Sequence, residues 1–401
     1  MATETSTAAA TAADREKVRA IREELPAVHE RAYLNTGTNG PLPRRAHRAL
    51  VEYALAELEE GRIGPATRAR MGDTQTAARE GVAHVLGCDP TEVALTHNTT
   101  EGMNIALMGL DWRPGDELVT SRTEHPGGLY PSYLIKQRHG AKIRMTRIGL
   151  KDVDPVEELR AALTPRTKAV VLSHVAWSTG MVLPLRELAD LAHEVGALLI
   201  CDAAQGFAHV PSRVYDLGVD AYACSGQKWA CGPDGTGALF VRRDRLGDIR
   251  QTYMGYAGVR PGMSDHDGHY VPGEGTRRYE AATLYGPSVR GFAASLGWIA
   301  EEVGWDWAYA RAAALGRRCY ELLAAIEGVT MHTPPDRMAG LVHFALDGIA
   351  PSDLSAKLNE RGISIRYTPY PSANRVSTGF YNTEEEVDRL AEQVKAIRRS
   401  L

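Results

Sequence analysis

Ala197, Leu198, Leu199, Ile200 and Cys201 form an apolar run without polar alternation, and Asp202 follows at once. A short, unbroken apolar run suits a strand covered on both faces of a parallel sheet. The preceding segment carries Leu185, Leu188, Ala189, Leu191, Ala192 and Val195 at helical spacing on one face. Helix, buried strand, then a carboxylate at the strand's C-terminal end is the order expected beside a ligand site in an open α/β sheet. A buried carboxylate is costly without a partner, so Asp202 calls for a cationic or hydrogen-bonding group. Downstream, Ser225-Gly226-Gln227-Lys228-Trp229 sits between the apolar segments 219–223 and 237–241.

Similar punctuation recurs along the chain. Strands are expected at 93–96, 117–121, 142–146, 168–173, 197–201, 219–223 and 237–241, with helices between them. This predicts an α/β fold built on a mostly parallel seven-stranded sheet with crossover helices. Helices are expected at 15–25, 44–60, 74–86, 288–302 and 305–326, and residues 251–279 read as a long loop. A smaller α/β unit follows, with strands near 341–346 and 363–367 and a helix near 351–361. Thr383 and Glu386 form a capping box before the stripe Val387, Leu390, Val394 and Ile397. At 401 residues, two domains are expected. The divisions are a disordered tail over 1–13, an N-terminal segment over 14–45 packing with the small domain, a large domain over 46–285 and a small domain over 286–401.

A formal net charge of -4 gives no nucleic-acid footprint. No apolar span is long enough to predict a membrane helix. The opening Met1 to Ala13 lacks the basic start and apolar segment of a secretory signal. Cys88, Cys201, Cys224, Cys231 and Cys319 are odd in number and contain no C-x-x-C pair, which suits reduced thiols in a cytoplasmic protein.

Several residues carry chemistry. Lys228 lies between strands and has Ser225 and a glycine-rich stretch beside it, as an enclosed lysine that forms a Schiff base would. Asn98 and Glu101 mark a helix start whose free N–H groups, with Thr99 or Thr100, make a phosphate seat. Pyridoxal 5'-phosphate needs such a lysine, such a seat, a carboxylate opposite its ring nitrogen and a group on the ring face. Asp202 suits the carboxylate role, Gln205 the ring's phenolic oxygen, and Ser225 the phosphate. His125, between Glu124 and Pro126, suits the ring face and proton transfer. His174 and Trp177 are candidates for lining a substrate cavity, and no metal is expected.

Together, Asn98-Thr99-Thr100-Glu101-Gly102, Glu124-His125-Pro126, Asp202-Ala203-Ala204-Gln205, Ser225-Gly226-Gln227-Lys228-Trp229, Arg278-Tyr279-Glu280 with Thr283, and Arg375-Val376-Ser377 with Tyr381 to Glu385 resemble the class V aminotransferase family, of pyridoxal phosphate fold type I. Within it the chain is most similar to cysteine or cystine C–S lyases and to isopenicillin N epimerase-like proteins. The resemblance implies that Lys228 carries the cofactor, His125 stacks on its ring, and Asp202 and Gln205 hold its nitrogen and phenolic oxygen. It further implies that Thr99, Thr100, Ser225 and Gln227 bind phosphate, and that Thr283 reaches the phosphate of a neighbouring subunit in a homodimer. Arg375 would clamp the substrate carboxylate, with Asn35, Trp177 and His174 beside the substrate. Gln227 stands where the family usually has histidine, and an amide brings no positive charge. Desulfurases of the family carry a nucleophilic cysteine before the carboxylate-binding arginine, and here residues 366–375 contain none. The expected activity is therefore a β-lyase acting on a sulfur-containing amino acid, with Lys228 as general base. An aminotransferase or epimerase shares the early steps, while a desulfurase or a non-enzymatic binding protein fits less well.

Overall fold

The computed structural model describes residues 12–401. Most of the tail expected over 1–13 lies outside the described residues, and its last two positions instead open the helix Ala12–Glu23. Strand β1 (Ala32–Tyr33) precedes the strands of the large sheet, which are β2 (Val93–Thr96), β3 (Glu117–Ser121), β4 (Lys142–Thr146), β5 (Thr167–Ser173), β6 (Leu198–Asp202), β7 (Ala221–Ser225) and β8 (Gly237–Val241). A hairpin of β9 (Val259–Ser264) and β10 (Tyr270–Pro272) follows. The C-terminal part holds β11 (Val329–Met331), β12 (Leu341–Leu346), β13 (Ile363–Ser364), β14 (Arg366–Pro369) and β15 (Ser372–Ser377).

The large sheet has seven strands in the order β2-β8-β7-β6-β5-β3-β4. Only β8 runs against its neighbours. The chain from β7 to β8 contains no crossover helix, and a return without one must be antiparallel. The central run is buried throughout β6. Leu199 and Cys201 join the core that includes the buried stripe of helix Leu185–Glu194, while Leu198 and Ile200 join the opposite core, which contains Met103, Ile105, Ala106 and Leu107 of helix Thr99–Met108. Alternate residues therefore feed two cores, which is why the run shows no polar alternation.

Three expectations need correction. The helix expected from residue 74 begins at Pro65, with proline in its first turn, where a missing N–H costs nothing. The loop expected over 251–279 contains the β9–β10 hairpin. The stretch after residue 367 continues β14 and turns into β15, which completes an antiparallel sheet in the order β11-β12-β15-β14.

Near the N-terminus, β1 pairs in parallel with β13, and Ser377 N–H donates to Leu34 O at 2.8 Å. These bonds bring the glycine-rich loop after Leu34 against β15. Among the described residues, no helix is long and apolar enough to cross a membrane.

Candidate active site

The C-terminal ends of the parallel strands converge on a cavity of about 210 Å³. Its wall includes Lys228, Asp202, Gln205, His125, Thr99, Thr100, Ser225, Gln227, Trp177 and Arg375, all expected from the sequence. Asp202 is the last residue of β6, is 3 % exposed, and accepts Ala204 N–H at 3.0 Å through Oδ1. A side chain on Gly128 would come within 3.3 Å of Oδ2, so glycine there lets helix Pro126–His139 approach the carboxylate.

His125 caps that helix. Its Nδ1 accepts from Gly127 N–H at 3.0 Å, which leaves the ring proton on Nε2. Burial pushes its pKa down, with Asp202 acting in the opposite sense. The imidazole is thus neutral near pH 7, and Trp177 meets it edge-on at 4.9 Å and 88°. Glu124, just before it, is 4 % exposed and bonds both Ser173 N–H (3.0 Å) and Ser173 Oγ (2.5 Å). Burial, reinforced by Asp202, raises its pKa to about 8.

Asn98 caps helix Thr99–Met108 by accepting Glu101 N–H at 2.9 Å. The reciprocal half of a capping box is absent here because Glu101 Oε2 accepts His97 N–H at 2.6 Å instead. Thr99 Oγ1 and Ser225 Oγ lie 2.5 Å apart at the helix start. Gln227 reaches the same wall, and its buried Oε1 has no hydrogen-bond partner.

Lys228 forms no ion pair among the described residues. Its amine lies deep in the cleft and keeps some exposure through the mouth. Crowding by protein atoms lowers its pKa to about 8, with Arg375 and Arg366 pushing the same way and Asp202 opposing. Gln205 is fixed in orientation. The indole N–H of Trp229 only donates and must face Oε1 (2.9 Å), so Nε2 donates to Gly37 O (2.7 Å) and keeps a second N–H. Arg375 is 1 % exposed and donates to Thr38 Oγ1 at 2.8 Å and Asn35 Oδ1 at 3.5 Å. Burial lowers its pKa to about 9, which still leaves it charged at neutral pH.

Three expected residues are not on this wall: Asn35 stands behind it against Arg375, and two lie elsewhere. His174 faces away, with Nδ1 on Tyr222 OH at 2.9 Å, in a separate groove shared with His209 and Tyr309. Thr283 bonds Tyr256 OH in another groove beside the β9–β10 hairpin. The cavity also includes Gly37 and Thr38, which belong to the glycine-rich loop carrying Asn35, and Arg366, which the sequence did not single out. The signal for Arg366 was the β14–β15 register, which pairs it directly with Arg375.

The Aminotransferase class-V family matches residues 32–390. A cysteine desulfurase of Haloferax volcanii is 34% identical over 342 residues, covering 80% of this chain and 78% of that protein. The isopenicillin N epimerase of Streptomyces clavuligerus is 30% identical over 399 residues, covering 91% and 94%. Among solved structures, the cystine C–S lyase C-DES with its product cysteine persulfide superposes with a TM-score of 0.88 at 29% identity, covering 92% of this chain and 99% of that one.

Proposed function

This chain belongs to the class V aminotransferase family and is a pyridoxal 5'-phosphate enzyme, and from that premise we propose that it is a C–S β-lyase acting on cysteine, cystine or a cysteine S-conjugate. One observation carries the choice of lyase over desulfurase. The cavity gathers an amine, a carboxylate and a guanidinium, yet among the described residues no cysteine lines it. Burial raises the pKa of Cys201, Cys224, Cys231 and Cys319, so none is a ready thiolate. A sulfur atom leaving the substrate has no protein thiol there to receive it, and departs free.

The residues present fit the cofactor. Thr99, Thr100 and Ser225 gather hydroxyls at the N-terminus of helix Thr99–Met108, a seat of O–H and N–H donors suited to phosphate, and Gln227 on the same wall would serve it through Nε2 rather than through its unpartnered Oε1. When bound, the cofactor supplies an electron sink for charge developing at the substrate Cα. We assign Asp202 to the ring nitrogen, the second Nε2–H of Gln205 to the phenolic oxygen, and neutral His125 to the ring face. Thr99, Thr100, Ser225 and Gln227 hold the phosphate, with Thr283 contributing from a second subunit. Arg375 binds the substrate carboxylate, with Asn35 and Trp177 beside it. Lys228 would hold the cofactor's aldehyde group and, with the substrate in place, would take the Cα proton at Nζ, for which an amine lowered to about 8 is well matched. The Cβ–S bond breaks, the sulfur leaves with the electron pair, and the residual aminoacrylate hydrolyses to pyruvate and ammonia.

The proposal extends to a homodimer of cytoplasmic chains, supported by exposed Tyr253, Tyr256, Tyr270 and Tyr285 around the β9–β10 hairpin and by five free thiols. Residues 46–285 form the cofactor domain and 286–401 the small domain. Incubation with cystine and no keto acid tests the activity. Pyruvate and released sulfur in equal amounts are expected. Pyridoxamine accumulating with no pyruvate would point to transamination, and inversion at Cα to an epimerase.

A further inference from the structure

Arg375 sits at the centre of the C-terminal sheet, with Arg366 opposite it on β14 and His343 opposite it on β12. Directly paired residues share one face of a sheet. His343 is fully buried. Its Nε2 lies 3.0 Å from Trp177 O. A carbonyl oxygen only accepts, so Nε2 carries the proton and Nδ1 is a bare acceptor. That Nδ1 is buried and has no partner. Arg375 Nε is also buried without a partner, and it can only donate. A complementary donor and acceptor therefore lie unpaired on adjacent strands. Each left alone carries a desolvation cost, larger for the charged group.

The side-chain bonds that Arg375 makes to Thr38 and Asn35 both come from Nη2, while Nη1 donates to no protein atom among the described residues. A carboxylate gripped by Nη1 and Nη2 together competes with Thr38 and Asn35 for Nη2 and draws the guanidinium into a new orientation. We propose that His343 is a positioning residue for Arg375: as the substrate carboxylate takes the outer N–H groups, Arg375 turns and its Nε–H donates to His343 Nδ1. This rests on the reading that Arg375 binds the substrate carboxylate. Burial and the nearby Arg375 charge hold the imidazole neutral, so the acceptor is available. The same histidine grips the main chain of Trp177, whose ring touches His125. It thus ties the carboxylate site to the wall beside the cofactor ring.

The test uses the holoenzyme with cystine as substrate and 3-mercaptopropionate, a carboxylate without an amine, as a calorimetric probe. His343→Phe should raise KM roughly tenfold, about the loss of one hydrogen bond to a charged group, with kcat changed less than about threefold. The probe should weaken by a similar factor. His343→Gln, which keeps a donor for Trp177 O and an acceptor for Nε, should restore both values. Ser377→Ala removes a buried, unpartnered hydroxyl on the same strand as Arg375 and should leave both values unchanged. Unaltered carboxylate binding in His343→Phe, no rescue by Gln, or an equal effect of Ser377→Ala overturns the proposal. Arg375→Lys separates the premise: if it leaves the probe's affinity intact, the assignment of Arg375 itself is wrong.

Discussion

Glu124 shows how a neighbour's charge state protects a site. Its carboxyl lies near Asp202, and two ionised carboxylates there would compete for any cation. Burial raises Glu124 to about 8, so at neutral pH it keeps its proton and adds no negative charge beside Asp202. The consequence for stability has a definite sign. Between pH 4.5, where the unfolded carboxyl loses its proton, and about 8, the folded protein binds the extra proton, so stability falls as pH rises. Glu124→Gln mimics the protonated acid and keeps partners for Ser173 N–H and Oγ. The variant should match the wild type near pH 4.5 and gain on it up to about pH 8, at about 1.4 kcal/mol per pH unit. Denaturation curves at several pH values measure this, and a constant gap across the window contradicts it.

At the scale of elements, helix Thr99–Met108, to which the phosphate is assigned, is held down by Gly102. A Cβ there would stand 2.8 Å from Ala223 Cβ on β7 and 3.4 Å from Leu239 Cβ on β8. Gly→Ala in a helix ordinarily gains about 1 kcal/mol. Overpacking against a buried sheet costs about 1–3 kcal/mol, and both neighbours are fully buried. Gly102→Ala should therefore lose about 1 kcal/mol net and bind the cofactor more weakly, because the N-terminus carrying Thr99 and Thr100 is displaced. Denaturant titration and reconstitution of the apoprotein read the two effects, and a net gain in stability sinks the argument. The motif of this helix was legible in the sequence, as were the strands of the large sheet, because apolar runs buried on both faces leave an unambiguous trace. Strand β15 was not, because Asn374 and Arg375 are polar. Asn374 is buried only because Pro351 O and Ser355 Oγ, remote in sequence, bond its amide. Missing that strand also hid Arg366, whose place depends on the hairpin register. His174 misled for a related reason: it follows Ser173 directly, but neighbouring residues of an extended chain face opposite ways.

At the scale of the molecule, the position of Thr283 decides whether one chain can complete its own site. In this chain it lies beside Tyr256, outside the cavity that holds Lys228. Its assigned contact with phosphate can be made only if a second copy brings its hairpin region to the first copy's helix Thr99–Met108. Exposed Tyr253, Met254, Tyr256, Tyr270 and Tyr285 give that region an apolar surface worth covering. In a two-fold dimer the exchange is reciprocal, so each site combines Lys228 of one chain with Thr283 of the other. Two defective chains can then repair each other. Lys228→Ala abolishes turnover at its own site, and Thr283→Val weakens phosphate retention at its partner's. Refolded together in equal amounts, random pairing leaves roughly a quarter of all sites intact, each in a hybrid dimer. At cofactor concentrations too low for Thr283→Val sites to fill, the mixture should regain about a quarter of wild-type pyruvate formation, while each parent alone stays near zero. Activity no greater than the sum of the parents, in a sample shown by mass to contain hybrids, rules out a shared site.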